Sequence, residues 1–163
     1  MLKKLAQAEE KWGGTSRLID RWLQARRELL VQYFKLAGLS RSDSPENSLP
    51  GLQQVHQFCD HLVDYVSEGH FRVINQIMHS FPEGEQVTDR LLPEVIETTD
   101  KLLDFIDKYS VADNDDMLLS LDQDLAELVD VLETRLGLED RLLQVLYTFR
   151  IQRNEPQQAV AND

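Results

Sequence analysis

Cysteine occurs once in the 163-residue chain, at Cys59. One thiol makes neither an internal disulfide nor a thiolate metal cage, so the fold must rest on its core, and a lone thiol fits a reducing compartment. Glycine and proline are sparse, at seven and five residues, so breaks in regular structure are few and can be located. No apolar run is long enough for a bilayer span. The opening Met1-Leu2-Lys3-Lys4-Leu5 lacks the apolar centre of a secretory signal. Positive charge is in deficit, with 17 Lys and Arg against 29 Asp and Glu, a formal net of −12. A phosphate backbone repels such a surface, which disfavours general nucleic-acid binding. These absences leave an acidic, soluble, cytoplasmic protein as the expectation, and 163 residues suffice for one domain with a core of its own.

The charge is unevenly placed. Residues 1–41 hold nine Lys/Arg and four Asp/Glu, whereas residues 42–163 hold eight and twenty-five. The stretch 94–140 alone carries fifteen acids and three bases. Such a run is either a solvated helix face or an electrostatic surface that steers a basic protein partner.

Apolar spacing predicts an all-α helical bundle of about four long helices plus a short N-terminal helix. Gly13-Gly14 breaks that first short helix. From Arg17 to Ala37 the apolar positions 18, 19, 22, 23, 29, 30, 33, 34 and 37 define a wide buried face, and Gly38 is the expected stop. Residues 39–49 read as a loop, and a second helix is expected to begin at Ser48 or Leu49, with Pro50 in its first turn. Its stripe runs Val55, Cys59, Leu62, Val66, Gly69, Val73, Ile77, with Gly69 either a kink or a point of close approach. After an expected turn at Phe81-Pro82-Glu83-Gly84, a third helix spans about 88–109, with Leu91, Leu92, Val95, Ile96, Leu102, Leu103 and Ile106 facing inward and Pro93 in its first turn or at a kink. An acidic loop at 113–116 leads to a last helix of about 116–150, with Gly137 as a bend. Residues 1–150 are thus read as one domain, and 151–163 as a disordered tail.

Catalytic chemistry finds little support. The histidines are His56, His61, His70 and His79, all within 24 residues, whereas a di-iron bundle needs Glu-x-x-His pairs on two helices. His70 is followed by Phe71-Arg72-Val73-Ile74, without the Lys and Gly of a phosphotransfer histidine. No phosphate loop, nucleophile triad or metal-ligand set is found, so neither an enzyme nor a cofactor is expected.

The second helix carries the more informative surface. At 100° per residue, Gln57, Asp60, Asp64, Ser67, Glu68, Phe71, Asn75 and Met78 gather opposite Val66. In a continuous helix, Asp64, Ser67 and Phe71 stand at i, i+3 and i+7 and share one face. An aromatic anchor ringed by polar groups has the composition of an interface hot spot. Packing of Phe71 inside the bundle is the equal alternative.

Three segments bring a family into view: Lys11-Trp12-Gly13-Gly14 with Leu18-Ile19-Asp20-Arg21-Trp22-Leu23 and Arg26; Phe58-Cys59 with Leu62-Val63-Asp64-Tyr65, Ser67 and Gly69-His70-Phe71; and Leu132-Glu133-x-Arg135 with Leu138-Glu139-Asp140. In this order and spacing they resemble the regulator of sigma D family, the Rsd/AlgQ anti-sigma factors of gammaproteobacteria. The resemblance extends from the start to about residue 150. It implies a helical, non-catalytic protein that binds the free housekeeping sigma factor, chiefly its C-terminal domain reading the −35 element. Sigma is thereby kept from core RNA polymerase, which favours alternative sigma factors as growth slows into stationary phase. The family's partner surface would fall on Asp64, Ser67 and Phe71, with Leu18, Asp20 and Trp22 nearby and Asp60 and Glu68 beside them. Trp22 also lies on a core stripe with Leu18, Leu29 and Tyr33. Glu139 and Asp140 serve either the interface or a buried salt bridge to an arginine such as Arg21. A monomer without membrane or direct nucleic-acid contact is the matching expectation; a helical adaptor for another basic or signalling protein is the alternative.

Overall fold

A computed structural model describes residues 17–40, 51–75 and 82–159, within which every long element is an α-helix and no strand occurs. Helix α1 is Arg17–Ser40, α2 is Leu52–Ser67, α3 is Pro82–Ser110 and α4 is Leu121–Ala159. A six-residue π-helical segment, Glu68–Val73, continues α2, and a 3-10 turn, Asp115–Leu118, precedes α4. The expected short N-terminal helix and the 41–49 part of the first loop lie outside the described residues.

Side-chain contacts fix the topology. Trp22 meets Tyr65 while Tyr33 meets Phe58, so α1 and α2 run antiparallel. Arg135 bonds to the Val95 carbonyl while Lys108 bonds to Asp124, so α3 and α4 run antiparallel too. Arg26–Asp140 and Tyr33–Leu125 set α4 antiparallel to α1. The result is an up-down-up-down ring in which α3 and α4 share the largest seam and α4 closes against α1 with the smallest.

The interior has two levels. At one end Tyr33, Phe58, Phe105 and Tyr109 form an aromatic chain with centroids 4.7–6.2 Å apart. The Tyr33 hydroxyl donates to the Leu125 carbonyl at 2.7 Å. At the other end Trp22 stacks on Tyr65 at 6.1 Å. Cys59 is buried, and desolvation, aided by the nearby Asp60 charge, pushes its thiol up to about 12, which keeps it protonated.

Several element ends differ from expectation. Helix α1 passes through Gly38 to Ser40, because glycine permits a left-handed stop without imposing one. Helix α2 begins at Leu52, after Pro50, with the Gln54 side chain accepting from the Gly51 N–H at 3.1 Å. The expected turn at Pro82-Glu83-Gly84 is the first turn of α3, where proline's fixed φ suits the opening position. Pro93 stands inside that helix. Ile96, expected inward, is exposed, whereas Thr98, Phe105 and Tyr109 are buried. Helix α4 runs through Gly137 and on to Ala159, past the expected end near 150 and past Pro156.

The π-helical segment lies where α2 packs closely. In an uninterrupted α-helix Val73 would lie about 20° from Val66 and Ile74 about 80° from it. Val73 and Ile74 are both buried. The same segment holds Gly69 against α1: a Cβ there would lie 2.9 Å from Trp22 Nε1 and 3.3 Å from its Cε2. The close-approach reading of Gly69 is therefore the correct one.

Two predictions follow from these contacts. Gly69→Ala should lower stability by about 1–3 kcal/mol, because the buried indole has nowhere to yield; chemical denaturation reads this directly. On the α3–α4 seam, burial opposes ionisation of Asp124, but hydrogen bonds from Lys108 and Tyr109, both 2.5 Å, outweigh it and hold the carboxyl below its ordinary 3.8. A lowered folded value stabilises above the unfolded one and loses that contribution as pH falls through it. The stability gap between wild type and Asp124→Asn should accordingly be full at neutral pH and close in acid, below about pH 4.

Candidate functional site

Asp60, Asp64 and Ser67 are exposed along one side of α2, at i, i+4 and i+7 of an unbroken α-helical stretch. Glu68 follows, half-buried, with Oε1 4.0 Å from Arg21 Nη2 of α1 and 3.8 Å from Arg72 Nη1. Leu18 is half-buried against the core and Asp20 is exposed, both at the start of α1. The Glu68–Arg21 contact and the Trp22–Tyr65 stack bring that start beside the end of α2. Seven of the eight candidate side chains can thus be placed. An acidic and hydroxyl ridge stands on α2 with the first turn of α1 alongside.

Two expectations about this surface change. Trp22 is 1% exposed and packs on Tyr65 and Gly69, so it supports the ridge from below and offers no face to a partner. The shared face of Asp64, Ser67 and Phe71 required a continuous α-helix, whereas the backbone at Phe71 lies inside the π-helical segment. A π turn advances fewer degrees per residue than an α turn, so the i+7 spacing no longer fixes the face on which that backbone position stands. The Phe71 side chain lies outside the described residues.

Beneath the ridge the four helices meet in a buried polar joint. Arg26, fully buried, donates through Nη1 to Asp140 Oδ1 at 2.8 Å. The buried Tyr65 hydroxyl donates to Glu139 Oε2, and Arg135 Nε donates to Glu139 Oε1 at 3.0 Å. Arg135 Nη1 reaches the Val95 carbonyl at 3.0 Å and Thr99 Oγ1 at 2.5 Å. Burial and the adjacent Glu139 carboxylate raise the Tyr65 phenol well above its ordinary value, against the pull of Arg26 and Arg135, so it remains a donor. Burial by itself would lower the Arg26 pKa; the facing Tyr65, Glu139 and Asp140 outweigh it and raise that pKa, so the guanidinium stays charged. Glu139 and Asp140 thus serve internal pairs, with Arg135 and Arg26; Arg21 instead faces Glu68. Composition alone did not reveal this joint, although Arg26, Tyr65, Arg135, Glu139 and Asp140 all belong to the segments that carried the family resemblance.

Among the described residues no three His, Cys, Asp or Glu side chains are grouped to hold a metal ion, and no helix is long and apolar enough to cross a membrane. Of the histidines, His56 donates through Nε2 to the Ala112 carbonyl at 2.8 Å, a strut between α2 and the α3–α4 connection.

An all-α bundle with a polar ridge on α2 and a charged joint behind it defines a helical protein with a supported surface. The family model for the Rsd/AlgQ regulators of the RNA polymerase sigma(70) subunit matches residues 1–147, and the chain belongs to that family. Proteins named Regulator of sigma D from Salmonella arizonae, Salmonella newport and Salmonella enteritidis are each 32% identical to it over 150 residues, spanning 90% of this chain and 92% of theirs.

The joint generates its own prediction. Arg135→Met removes one partner of a buried pair and takes from Glu139 its hydrogen-bonded ion-pair partner, which should cost about 3–5 kcal/mol of folding stability. Glu139→Gln together with Arg135→Met should recover part of that loss, and denaturant midpoints of the single and double variants measure the coupling.

Proposed function

We propose that this protein is a non-catalytic anti-sigma factor that binds the free housekeeping sigma factor, chiefly through the C-terminal domain reading the −35 element, and keeps it from core RNA polymerase. The observation that carries this reading is the exposed Asp60–Asp64–Ser67 ridge, flanked by Glu68 and the start of α1. A −35 reader is a helix-turn-helix whose basic surface is made to meet phosphates. An acidic ridge on a firm base competes for that surface by charge and by hydrogen bonding. Family membership supports sigma as the partner. Residues 1–150 act in this reading as one sigma-binding unit, cytoplasmic and monomeric, which needs no cofactor and touches neither membrane nor DNA.

Asp64 pairs with a sigma Arg or Lys, Ser67 adds a short hydrogen bond, and Phe71 supplies an apolar anchor at the π-helical turn. Titration of the full-length protein with the isolated sigma C-terminal domain tests this. Asp64→Ala should weaken binding by about 2 kcal/mol, partly by leaving sigma's cation unpaired, and Phe71→Ala by a similar amount. The Asp64→Ala melting temperature should not move, because the carboxylate is exposed. The association rate should fall between low and physiological (~0.15 M) salt as long-range attraction is screened. Full affinity in both variants would refute the assignment.

A further inference from the structure

The acids that dominate the composition stand elsewhere. Fourteen of the fifteen in residues 94–140 lie on or between α3 and α4 with at least partial exposure, and that seam is diagonally across the ring from the α1–α2 seam that carries the ridge. The exception is Glu139 in the buried joint. Two cavities open along the α3–α4 seam, of about 350 Å³ and about 210 Å³. Both are lined by Lys101 and Val131, so they form one trench. Phe105, Leu128 and Val131 supply its apolar floor, and Asp104, Glu127 and Asp130 its rim. The two lysines along it are already committed, Lys101 to Glu97 at 2.9 Å and Lys108 to Asp124 at 2.5 Å. The three rim acids have no ion pair among the described residues. Beyond the Lys108 end, on the α3–α4 connection, Val111 is 67% exposed and Leu119 75%.

We propose that this trench is a second docking surface, separate from the sigma ridge, and that it takes a lysine- or arginine-rich amphipathic helix of a protein partner. The shape fits such a segment: Glu94 to Tyr109 is about 22 Å of α3 at 1.5 Å per residue, the length of a helix of about four turns. A bound helix would set its i, i+3/i+4 and i+7 apolar anchors over Phe105, Leu128 and Val131, and continue onto Val111 and Leu119. Its flanking cations would meet Asp104, Glu127 and Asp130, which supply the charge complementarity that selects a basic segment over a neutral or acidic one.

The test uses the full-length protein and a fluorescent 16-residue lysine–leucine peptide of amphipathic helical pattern, with a scrambled peptide of identical composition. The amphipathic peptide should bind at least tenfold more tightly than the scrambled one. Asp104→Lys with Glu127→Lys, both exposed positions, should weaken it at least tenfold, and Leu119→Ser with Val111→Ser at least threefold. Asp64→Ala should leave peptide affinity within twofold. Equal binding of the two peptides would reduce the trench to a diffuse field and overturn the proposal. Loss on Asp64→Ala with no effect of the Asp104/Glu127 reversal would overturn it as well, placing the peptide on the ridge. Sigma titration of the Asp104/Glu127 variant separates this proposal from the sigma assignment: unchanged sigma affinity supports two surfaces, and a tenfold loss would make the trench part of the sigma site.

Discussion

Two arginines are sealed inside this bundle, and most of the architecture follows from how their charges are answered. Arg26 comes from α1 and Arg135 from α4; the acids that meet them, Glu139 and Asp140, are adjacent on α4, and Tyr65 of α2 closes the set through Glu139. Arg135 then reaches α3 through the Val95 carbonyl and Thr99. Every helix contributes at least one polar atom. A hydrophobic layer of the same volume would tolerate sliding and rotamer exchange, whereas charged groups in low dielectric hold only one arrangement without loss. The joint thereby sets the register of four helices at one end, while the aromatic chain from Tyr33 to Tyr109 fills the other with apolar volume.

That division matters for the surface above. The ridge residues are ordinary exposed side chains on a single helix, and their relative positions are only as fixed as the backbone that carries them. Tyr65 lies between Asp64 and Ser67 in sequence, faces inward and is tied to Glu139. Gly69 lets α2 press onto the Trp22 indole without a Cβ between them. The ridge is therefore braced at Tyr65, one residue from Asp64, and at Gly69, two residues from Ser67, and an interface built this way gives up little side-chain or backbone freedom when it meets a partner.

Much of this was legible in the sequence, for identifiable reasons. Periodicity marks the four helices because burial of one face imposes it, and Ile19, Leu62, Val95 and Leu132 all fall inside as the pattern demands. Helix ends were less legible: Gly38 and Pro82 are compatible with a stop or a turn, yet neither compels one. Ile96 and Phe105 were misassigned or missed because a long helix with Pro93 within it drifts from a single 100° stripe. The π-helical turn leaves no local signature, and what accompanies it, the approach of Gly69 to Trp22 and the burial of Ile74, is tertiary. The marking of Asp60, Asp64 and Ser67 as a partner surface came from the family resemblance, but that they share one exposed face of α2 was legible from spacing. The joint was not, because Arg26 and Asp140 are 114 positions apart and Tyr65 and Glu139 are 74 apart, and composition says nothing of pairs so distant.

The stack of Trp22 on Tyr65 has an optical consequence. Trp12 and Trp22 are the chain's only tryptophans, and the second is sealed at the contact of α1 with α2, its ring nearly parallel to the phenol at 12°. Its emission reads the dryness of that contact. Any event that parts α1 from α2 admits water to the indole and shifts its fluorescence to the red, while events confined to the α3–α4 side leave it unchanged. The molecule carries its own reporter of whether the brace behind the ridge is closed.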